Sequence, residues 1–167
     1  MTPAYLLDEM REAAKQGEFA LDKPAVPAWA QTLERTKKNV LTLWRAGVLL
    51  AAGTDAPYPG VFQGEGMHHE LELLVEAGLT PLQAIQAATG NAARFLDGDG
   101  ADWGTLAPGK RADLVVVSGR PHERIGDTRT IMEVIQAGRL LDRNRLRIQP
   151  GVPEYRTTGS LEQAPAR

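Results

Sequence analysis

Apolar residues recur at helical spacing through the first half of the chain and predict a series of helices. The clearest helix covers residues 27–46 and ends at Gly47, with basic residues toward its C-terminal end that suit the helix dipole. A second helix covers residues 67–77, with leucines on one face and glutamates on the other. Residues 3–15 allow a further short helix, which an irregular stretch follows.

Two shorter helices are predicted after Gly78. Thr80-Pro81-Leu82-Gln83 has the form of a capping box with proline at the first helical position, so a helix begins there. Asn91 is positioned to cap one more short helix, which runs to Leu96.

One apolar run is too short for a helix. Val48-Leu49-Leu50-Ala51-Ala52 is continuous, which predicts a strand buried on both faces, as in a parallel sheet. A helix that leads into such a strand indicates the α/β class, and an aromatic content of only 5% agrees with it.

The pattern changes at Asp97-Gly98-Asp99-Gly100, where we expect a domain boundary. Beyond it the sequence favours strands: a turn at Pro108-Gly109, a strand over residues 112–117, and a hairpin around Gln136-Ala137-Gly138. The hairpin strands cover residues 131–135 and 139–146. The chain is therefore divided into three parts, residues 1–96, residues 97–148 and a polar tail over residues 149–167.

Charge and composition narrow the possible functions. Lys and Arg number 19 against 21 Asp and Glu, so we expect no nucleic acid and no anionic membrane as a partner. The chain has no cysteine, so any metal must be held by Asp, Glu or one of three His. No apolar run is long enough to span a bilayer and the N-terminal residues lack a signal-peptide pattern, so we expect a cytoplasmic protein.

Asp55 is the best-placed candidate for chemistry. Gly53-Thr54-Asp55 follows the predicted strand directly, and ligands of parallel α/β proteins lie beyond the carboxyl ends of the strands. An Asp where a strand meets a loop also commonly caps a turn. Position alone leaves both roles open.

The histidines have structural explanations beside the functional ones. His68 and His69 are adjacent, so on a helix they point in different directions and make a poor metal clamp. We expect one to be exposed and the other to be hydrogen-bonded at a helix start. His69 is also a candidate substrate contact, whereas His122 is expected at the surface.

The remaining polar candidates lie in loops and turns. The loop after Asp55 contains Tyr58, Phe62 and Gln63, for which two roles are open: lining a substrate pocket or packing the loop. Of the three, Tyr58 is our candidate for a substrate contact. Lys110 and Arg111, after Pro108-Gly109, are expected to be solvated turn residues.

Several blocks occur in an order that one family shares. They are Ala46-Gly47-Val48-Leu49-Leu50-Ala51-Ala52-Gly53-Thr54-Asp55, His69-Glu70-Leu71, Glu76-Ala77-Gly78-Leu79-Thr80-Pro81, Ala87-Ala88-Thr89-Gly90-Asn91-Ala92-Ala93 and Gly104-Thr105-Leu106-Ala107-Pro108-Gly109-Lys110-Arg111-Ala112-Asp113-Leu114-Val115-Val116. Together they resemble the C-terminal third of the metal-dependent amidohydrolase superfamily. Within it the chain is similar to the imidazolonepropionase and Xaa-Pro dipeptidase-like branch.

The resemblance implies an α/β fold, with the C-terminal portion of a (β/α)8 TIM-like barrel over residues 1–96 and strands of a small composite β-sandwich over residues 97–148. It implies a hydrolase acting on carbon–nitrogen bonds of a non-peptide amide, a cyclic amide or a dipeptide. The cofactor would be a divalent metal, usually zinc. Asp55 would follow the eighth strand as metal ligand and as acceptor of the proton from the attacking water.

Most metal ligands of that superfamily have no counterpart in this sequence. Its His-x-His on the first strand, its middle-strand lysine or carboxylate and its two later histidines are missing. A zinc site takes about three or four protein ligands and a full barrel about 250 residues.

We therefore expect a C-terminal fragment, a truncated gene product or half of a split enzyme, inactive alone on its small-molecule substrate. Another chain would then supply the rest of the barrel. The alternative is a non-catalytic remnant or interaction module that packs on a partner chain.

Overall fold

The computed structural model describes residues 25–56 and 61–145. Four α-helices come first within them, followed by a small antiparallel sheet that contains one 3-10 helix between its strands. The elements are α1 (Ala25–Arg45), α2 (Glu65–Glu76), α3 (Pro81–Ala88), α4 (Gly90–Asp97), β1 (Leu114–Val117), the 3-10 helix (Ile125–Arg129), β2 (Ile131–Gln136) and β3 (Arg139–Leu140). The predicted helix over residues 3–15 and the predicted tail over residues 149–167 lie outside the described residues.

The predicted helices are confirmed, with ends that shift by one or two residues. The capping box at the start of α3 is present: Thr80 Oγ1 accepts from the backbone N–H of Gln83 at 3.3 Å, and Gln83 Oε1 accepts from the backbone N–H of Thr80 at 2.8 Å. The prediction that Asn91 caps a helix is wrong. Asn91 lies inside α4, because the helix already begins at Gly90, and its side chain bonds elsewhere.

A small core joins α2, α3 and the turn between them. Its buried members are Leu71, Leu74, Leu79, Ala84 and Ala87. Side chains of α1, Val40, Leu41 and Trp44, pack against this cluster from outside. Because the buried members on α3 are alanines, the chain after α1 approaches α3 closely enough for the backbone N–H of Ala52 to donate to the Ala87 carbonyl at 3.1 Å.

The segment over residues 48–52 differs from its prediction. It pairs with no strand among the described residues, and the side chains of Val48 and Leu49 are 45% and 38% exposed. The prediction of a strand buried on both faces is therefore wrong. Burial nevertheless alternates along it: Leu50, Ala52 and Thr54 are half-buried, whereas the residues between them are exposed. This period of two is typical of a strand with one covered face. Burial of the second face requires further strands and helices that the described part of the chain does not supply.

The sheet of the second half agrees with the sequence pattern. β1 pairs antiparallel with β2, and β2 pairs antiparallel with β3. The predicted hairpin is confirmed with a two-residue turn, in which Ala137 and Gly138 have φ values of 48° and 76°. Two consecutive positive φ values are typical of the type I′ turns that match the twist of paired strands. The prediction of a second strand over residues 139–146 is wrong in its length, because β3 covers only Arg139–Leu140 and residues 141–145 form no strand.

The prediction that Lys110 and Arg111 are solvated turn residues holds for Arg111, which is exposed, and is wrong for Lys110. Lys110 is half-buried and its Nζ donates to the Ala101 carbonyl at 2.8 Å. Arg111 Nε donates to Asp113 Oδ2 at 2.6 Å, and Asp113 Oδ1 accepts from the backbone N–H of Ala137 at 2.7 Å. These bonds tie the turn to the hairpin, which propensity alone does not reveal.

Among the helices described, none combines the length and the apolar character needed to cross a membrane.

Candidate functional site

Asp55 lies on the open side of the segment that joins α1 to α2. Leu49, Ala51, Gly53 and Asp55 are the exposed positions of its alternating pattern, so Asp55 faces away from the covering helices. Its φ is 54°, a left-handed conformation that Asp tolerates better than most residues. Its carboxylate has no hydrogen-bond partner within the described residues.

Two hydrogen bonds hold this segment against the helices. The first is the Ala52 to Ala87 backbone bond to α3. In the second, the Asn91 side chain on α4 donates from Nδ2 to the Leu50 carbonyl at 2.8 Å. Ala52 and Leu50, which precede Asp55 by three and five residues, are thereby held in place. The backbone that leads to Asp55 is therefore positioned by α3 and α4.

A cleft of about 330 Å³ lies beside the end of the segment, against α2. Residues 53–54 form one side, and α2 forms the other. Asp55 adjoins the cleft without lining it. The lining residues are Gly53, Thr54, Val61, Phe62, Glu65, Gly66, His69, Glu70 and Leu73.

Glu70 lines this cleft, although the sequence predicted for it only a favourable interaction with the helix dipole and no role in a site. It is half-buried, and burial raises the pKa of its carboxyl while the nearby His69 partly opposes that shift. The sequence contains a sign of it: Glu70 follows Met67 by three residues and precedes Leu74 by four, so it lies on the apolar face of α2. A carboxylate on a helix face that packs inward is unusual enough to single out.

The expectation for the adjacent histidines is confirmed. His69 is 65% exposed at the rim of the cleft, with its Nδ1 3.7 Å from Glu72 Oε2. His68 is half-buried on the other side of α2, and its Nδ1 lies 3.0 Å from Thr128 Oγ1. Burial lowers the pKa of His68, and the Arg129 charge adds to that shift.

Arg129 connects the second half of the chain to α2. Its Nε and Nη2 donate to the two carboxylate oxygens of Glu72 at 3.1 and 3.0 Å, and its Nη1 donates to Glu65. The hydrogen bonds from Arg129 lower the pKa of Glu72. Because Glu65 also lines the cleft, the 3-10 helix holds the start of the cleft wall in place.

The described residues do not fit a complete metal centre. They contain no group of three or more His, Asp or Glu side chains that could hold a metal ion. Within the described residues, neither His68 nor His69 is placed with Asp55 in such a group. His122 is exposed beside Glu123, and Tyr58 lies outside the described residues.

The amidohydrolase family profile matches residues 4–141. The chain belongs to the amidohydrolase family. It is 38% identical to the imidazolonepropionase of Pyrobaculum arsenaticum over 112 residues, which cover 65% of this chain and 26% of that protein. The resemblance drawn from the sequence blocks is therefore confirmed.

Two solved amidohydrolase structures are also similar. A molinate hydrolase structure has a TM-score of 0.59 at 30% identity, covering 75% of this chain and 30% of that one. A Xaa-Pro dipeptidase structure, with methionine bound in its active site, has a TM-score of 0.60 at 26% identity, covering 81% of this chain and 33% of that one. The chain thus spans a third or less of each relative. Its family neighbours imply a TIM-barrel-like α/β fold; the division into barrel and sandwich parts stays a prediction.

Proposed function

We propose that this amidohydrolase chain supplies part of the active site of a hydrolase acting on carbon–nitrogen bonds, with Asp55 as its reacting carboxylate. The observation that carries the proposal is the placement of Asp55: exposed on the open side of an anchored segment, beside a cleft, with no hydrogen-bond partner among the described residues. The names of the relatives, an imidazolonepropionase and a Xaa-Pro dipeptidase among them, support the reaction class.

The chemistry required of Asp55 is a proton transfer. During hydrolysis a water oxygen forms a bond to the carbonyl or ring carbon, and the bond from that carbon to nitrogen breaks. A carboxylate oxygen within hydrogen-bond reach accepts the proton from the water and then delivers it to the departing nitrogen. A carboxylate oxygen without an internal partner is available for this transfer, and within the described residues Asp55 makes no hydrogen bond.

Amidohydrolases generally use a divalent metal. We propose zinc, which takes about three or four protein ligands. Asp55 alone does not reach that number, so the remaining ligands would have to come from outside the described residues or from another chain. Metal-dependent catalysis by the chain alone is therefore not expected.

The test compares the purified chain with the chain co-expressed with the polypeptide encoded directly upstream, both supplied with Zn²⁺. Hydrolysis of an Xaa-Pro dipeptide and of a cyclic amide is followed by release of the amine or acid. We expect activity only in the co-expressed sample. Asp55→Asn should lower it by about 100-fold or more, as loss of an acid–base group does.

The control is Asp102→Asn, which removes the same charge at an exposed site far along the chain. Activity that survives Asp55→Asn would refute the role of Asp55. Metal-dependent turnover by the purified chain alone would refute the expectation that it is inactive by itself.

A second candidate function is an interaction module that packs on a partner chain. The supporting observation is exposed apolar surface on α1 and on the segment after it, at Leu33, Leu43, Val48 and Leu49. Contiguous exposed apolar surface is typical of association sites. Analytical ultracentrifugation should then detect self-association or a complex, and a compact monomer that unfolds cooperatively would argue against this candidate.

A further inference from the structure

The cleft beside α2 combines an apolar wall with Glu70, a carboxylate that makes no hydrogen bond or ion pair within the described residues. Val61, Phe62 and Leu73 provide the wall, and the volume is about 330 Å³. Clefts that bind small organic molecules begin at about 300 Å³ and have mostly apolar linings with a few placed polar groups. This cleft therefore has the size and the lining of a small ligand site.

Glu70 differs from the other glutamates around it. Glu65 and Glu72 are both bound by Arg129, so their charges are compensated. Glu70 is half-buried and makes no hydrogen bond or ion pair within the described part of the chain. Partial removal of a carboxylate from water without a partner costs free energy, and burial raises the pKa of Glu70 accordingly. A ligand that brings a donor to this carboxylate recovers that cost.

We propose that the cleft binds a small organic cation, with Glu70 accepting a hydrogen bond from a protonated amine and the apolar wall contacting its hydrocarbon part. Charge-assisted hydrogen bonds are the strongest that a carboxylate accepts, so a cationic nitrogen is favoured over a neutral one. Phe62 also lines the cleft, and a cation held over its aromatic ring would gain further attraction, whereas an anion would be repelled by Glu70. The inference rests on the proposed function, since it assigns to that hydrolase substrates that carry a protonated amine.

Binding is tested without any hydrolysis. Benzylamine, which is protonated at neutral pH, and benzyl alcohol, its neutral analogue, are titrated into the full chain labelled with ¹⁵N and followed by NMR. We expect benzylamine to shift the amide signals of Gly53, Thr54 and Gly66, which line the cleft. Benzyl alcohol should bind roughly tenfold more weakly, as the loss of a charged hydrogen-bond donor implies.

Glu70→Gln is the matched variant, because it keeps the shape of the side chain and removes the charge. It should bind benzylamine no more tightly than benzyl alcohol. Glu133→Gln, at an exposed position of β2, should keep the preference of the unmodified chain and so controls for net charge.

Equal binding of the two probes to the unmodified chain, or no shift at any cleft residue, would overturn the inference whether or not the variant folds. A preference that persists in folded Glu70→Gln would overturn it as well. Failure of the proposed function would give a different result. In that case benzylamine would still bind through Glu70, but hydrolysis in the co-expressed sample would not depend on Asp55.

Discussion

Asn91 donates a hydrogen bond from its side-chain Nδ2 to the backbone carbonyl oxygen of Leu50, with 2.8 Å between the two atoms. Asn91 is only 8% exposed and is the buried polar residue of the described chain. The segment after α1 has no strand neighbour among the described residues. The Asn91 amide therefore supplies to the Leu50 carbonyl a hydrogen bond that a neighbouring strand would supply in a sheet. The bond therefore links α4 directly to the segment that ends in Asp55.

Asn91→Ala should lower the free energy of unfolding by about 1–3 kcal/mol, because it leaves the Leu50 carbonyl without its buried donor. Urea denaturation followed by circular dichroism measures this as a lower midpoint. Asn144→Ala, at an exposed turn, is the control and should leave the midpoint unchanged. Equal midpoints for both variants would mean that the bond contributes nothing to holding the segment.

Gly104→Ala should also destabilise the chain, for a steric reason. Gly104 has a φ of 81°, and a Cβ there would lie 2.5 Å from the Ala93 Cβ and 2.7 Å from the Thr89 carbonyl oxygen. Strain of this kind and the left-handed backbone together cost about 1–3 kcal/mol. Gly100→Ala, whose Cβ would meet nothing within 4 Å, is the matched control. Thermal unfolding should separate the two variants clearly, and similar melting temperatures would contradict the close packing at Gly104.

The sequence predicts an element well when the interactions that determine it involve residues close together in the chain. The Thr80 capping box and the turn at Ala137 and Gly138 depend on residues within a few positions, and both are confirmed. The predicted burial of Val48 and Leu49 fails, because burial of an apolar run depends on which neighbours cover it. Periodicity reports only that the run is apolar.

The candidate site was predictable only in part, for the same reason. Asp55 could be singled out from its place after an apolar run, since that signal lies in adjacent residues. Glu70 became a cleft residue only when α2 was brought against residues 53–54. The bond from Asn91 to Leu50 spans 41 positions, and no local pattern specifies such a pair.

Arg129→Gln should make stability less sensitive to acid. Arg129 lowers the pKa of Glu72, so Glu72 binds a proton less readily in the folded chain than in the unfolded one. The resulting stabilisation is present above the ordinary glutamate pKa and is lost as the pH falls through the lowered value. We expect the unmodified chain to lose more stability than Arg129→Gln between about pH 5 and pH 3.

The measurement is urea denaturation at a series of pH values, and at neutral pH the variant should be less stable by about 1 kcal/mol, as for partly exposed ion pairs. Arg139→Gln, at an exposed position of β3, serves as the control for the loss of one positive charge. Parallel pH profiles for the unmodified chain and Arg129→Gln would contradict the contribution of Glu72.

His68→Gln should remove a second pH dependence, near neutrality. Burial and the Arg129 charge lower the pKa of His68, while Glu65 and Glu72 oppose that shift. The unfolded chain therefore binds the proton more readily, so stability declines as the pH falls below the ordinary histidine pKa of about 6.5. Glutamine keeps a hydrogen-bonding group near Thr128 but does not titrate.

Denaturation midpoints at about pH 7.5 and pH 5.5 bracket that pKa. The drop between them should be smaller in His68→Gln than in the unmodified chain. A drop that His68→Gln leaves unchanged would place the neutral-pH titration in another group.

Asp55→Gly distinguishes the effect of residue 55 on the stability of the chain from its proposed effect on hydrolysis. A left-handed backbone costs a residue with a side chain about 1–2 kcal/mol, less for Asp, and costs glycine almost nothing. Glycine loses more backbone entropy on folding, which offsets that gain, and asparagine tolerates the left-handed region about as well as Asp, so we expect Asp55→Gly and Asp55→Asn to have similar stabilities. Asp55→Val, with a β-branched side chain at a φ of 54°, should be the least stable of the three.

All three variants lack the carboxylate, so hydrolysis in the co-expressed sample should be lost equally despite different stabilities. Thermal unfolding gives the order of stability, and the hydrolysis assay gives the loss of turnover. Equal loss of turnover with different stabilities is the result expected if Asp55 serves the chemistry in spite of an unfavourable backbone conformation. Activity that instead followed stability across the three variants would assign Asp55 a structural role, that of the turn residue that its position after an apolar run also allows.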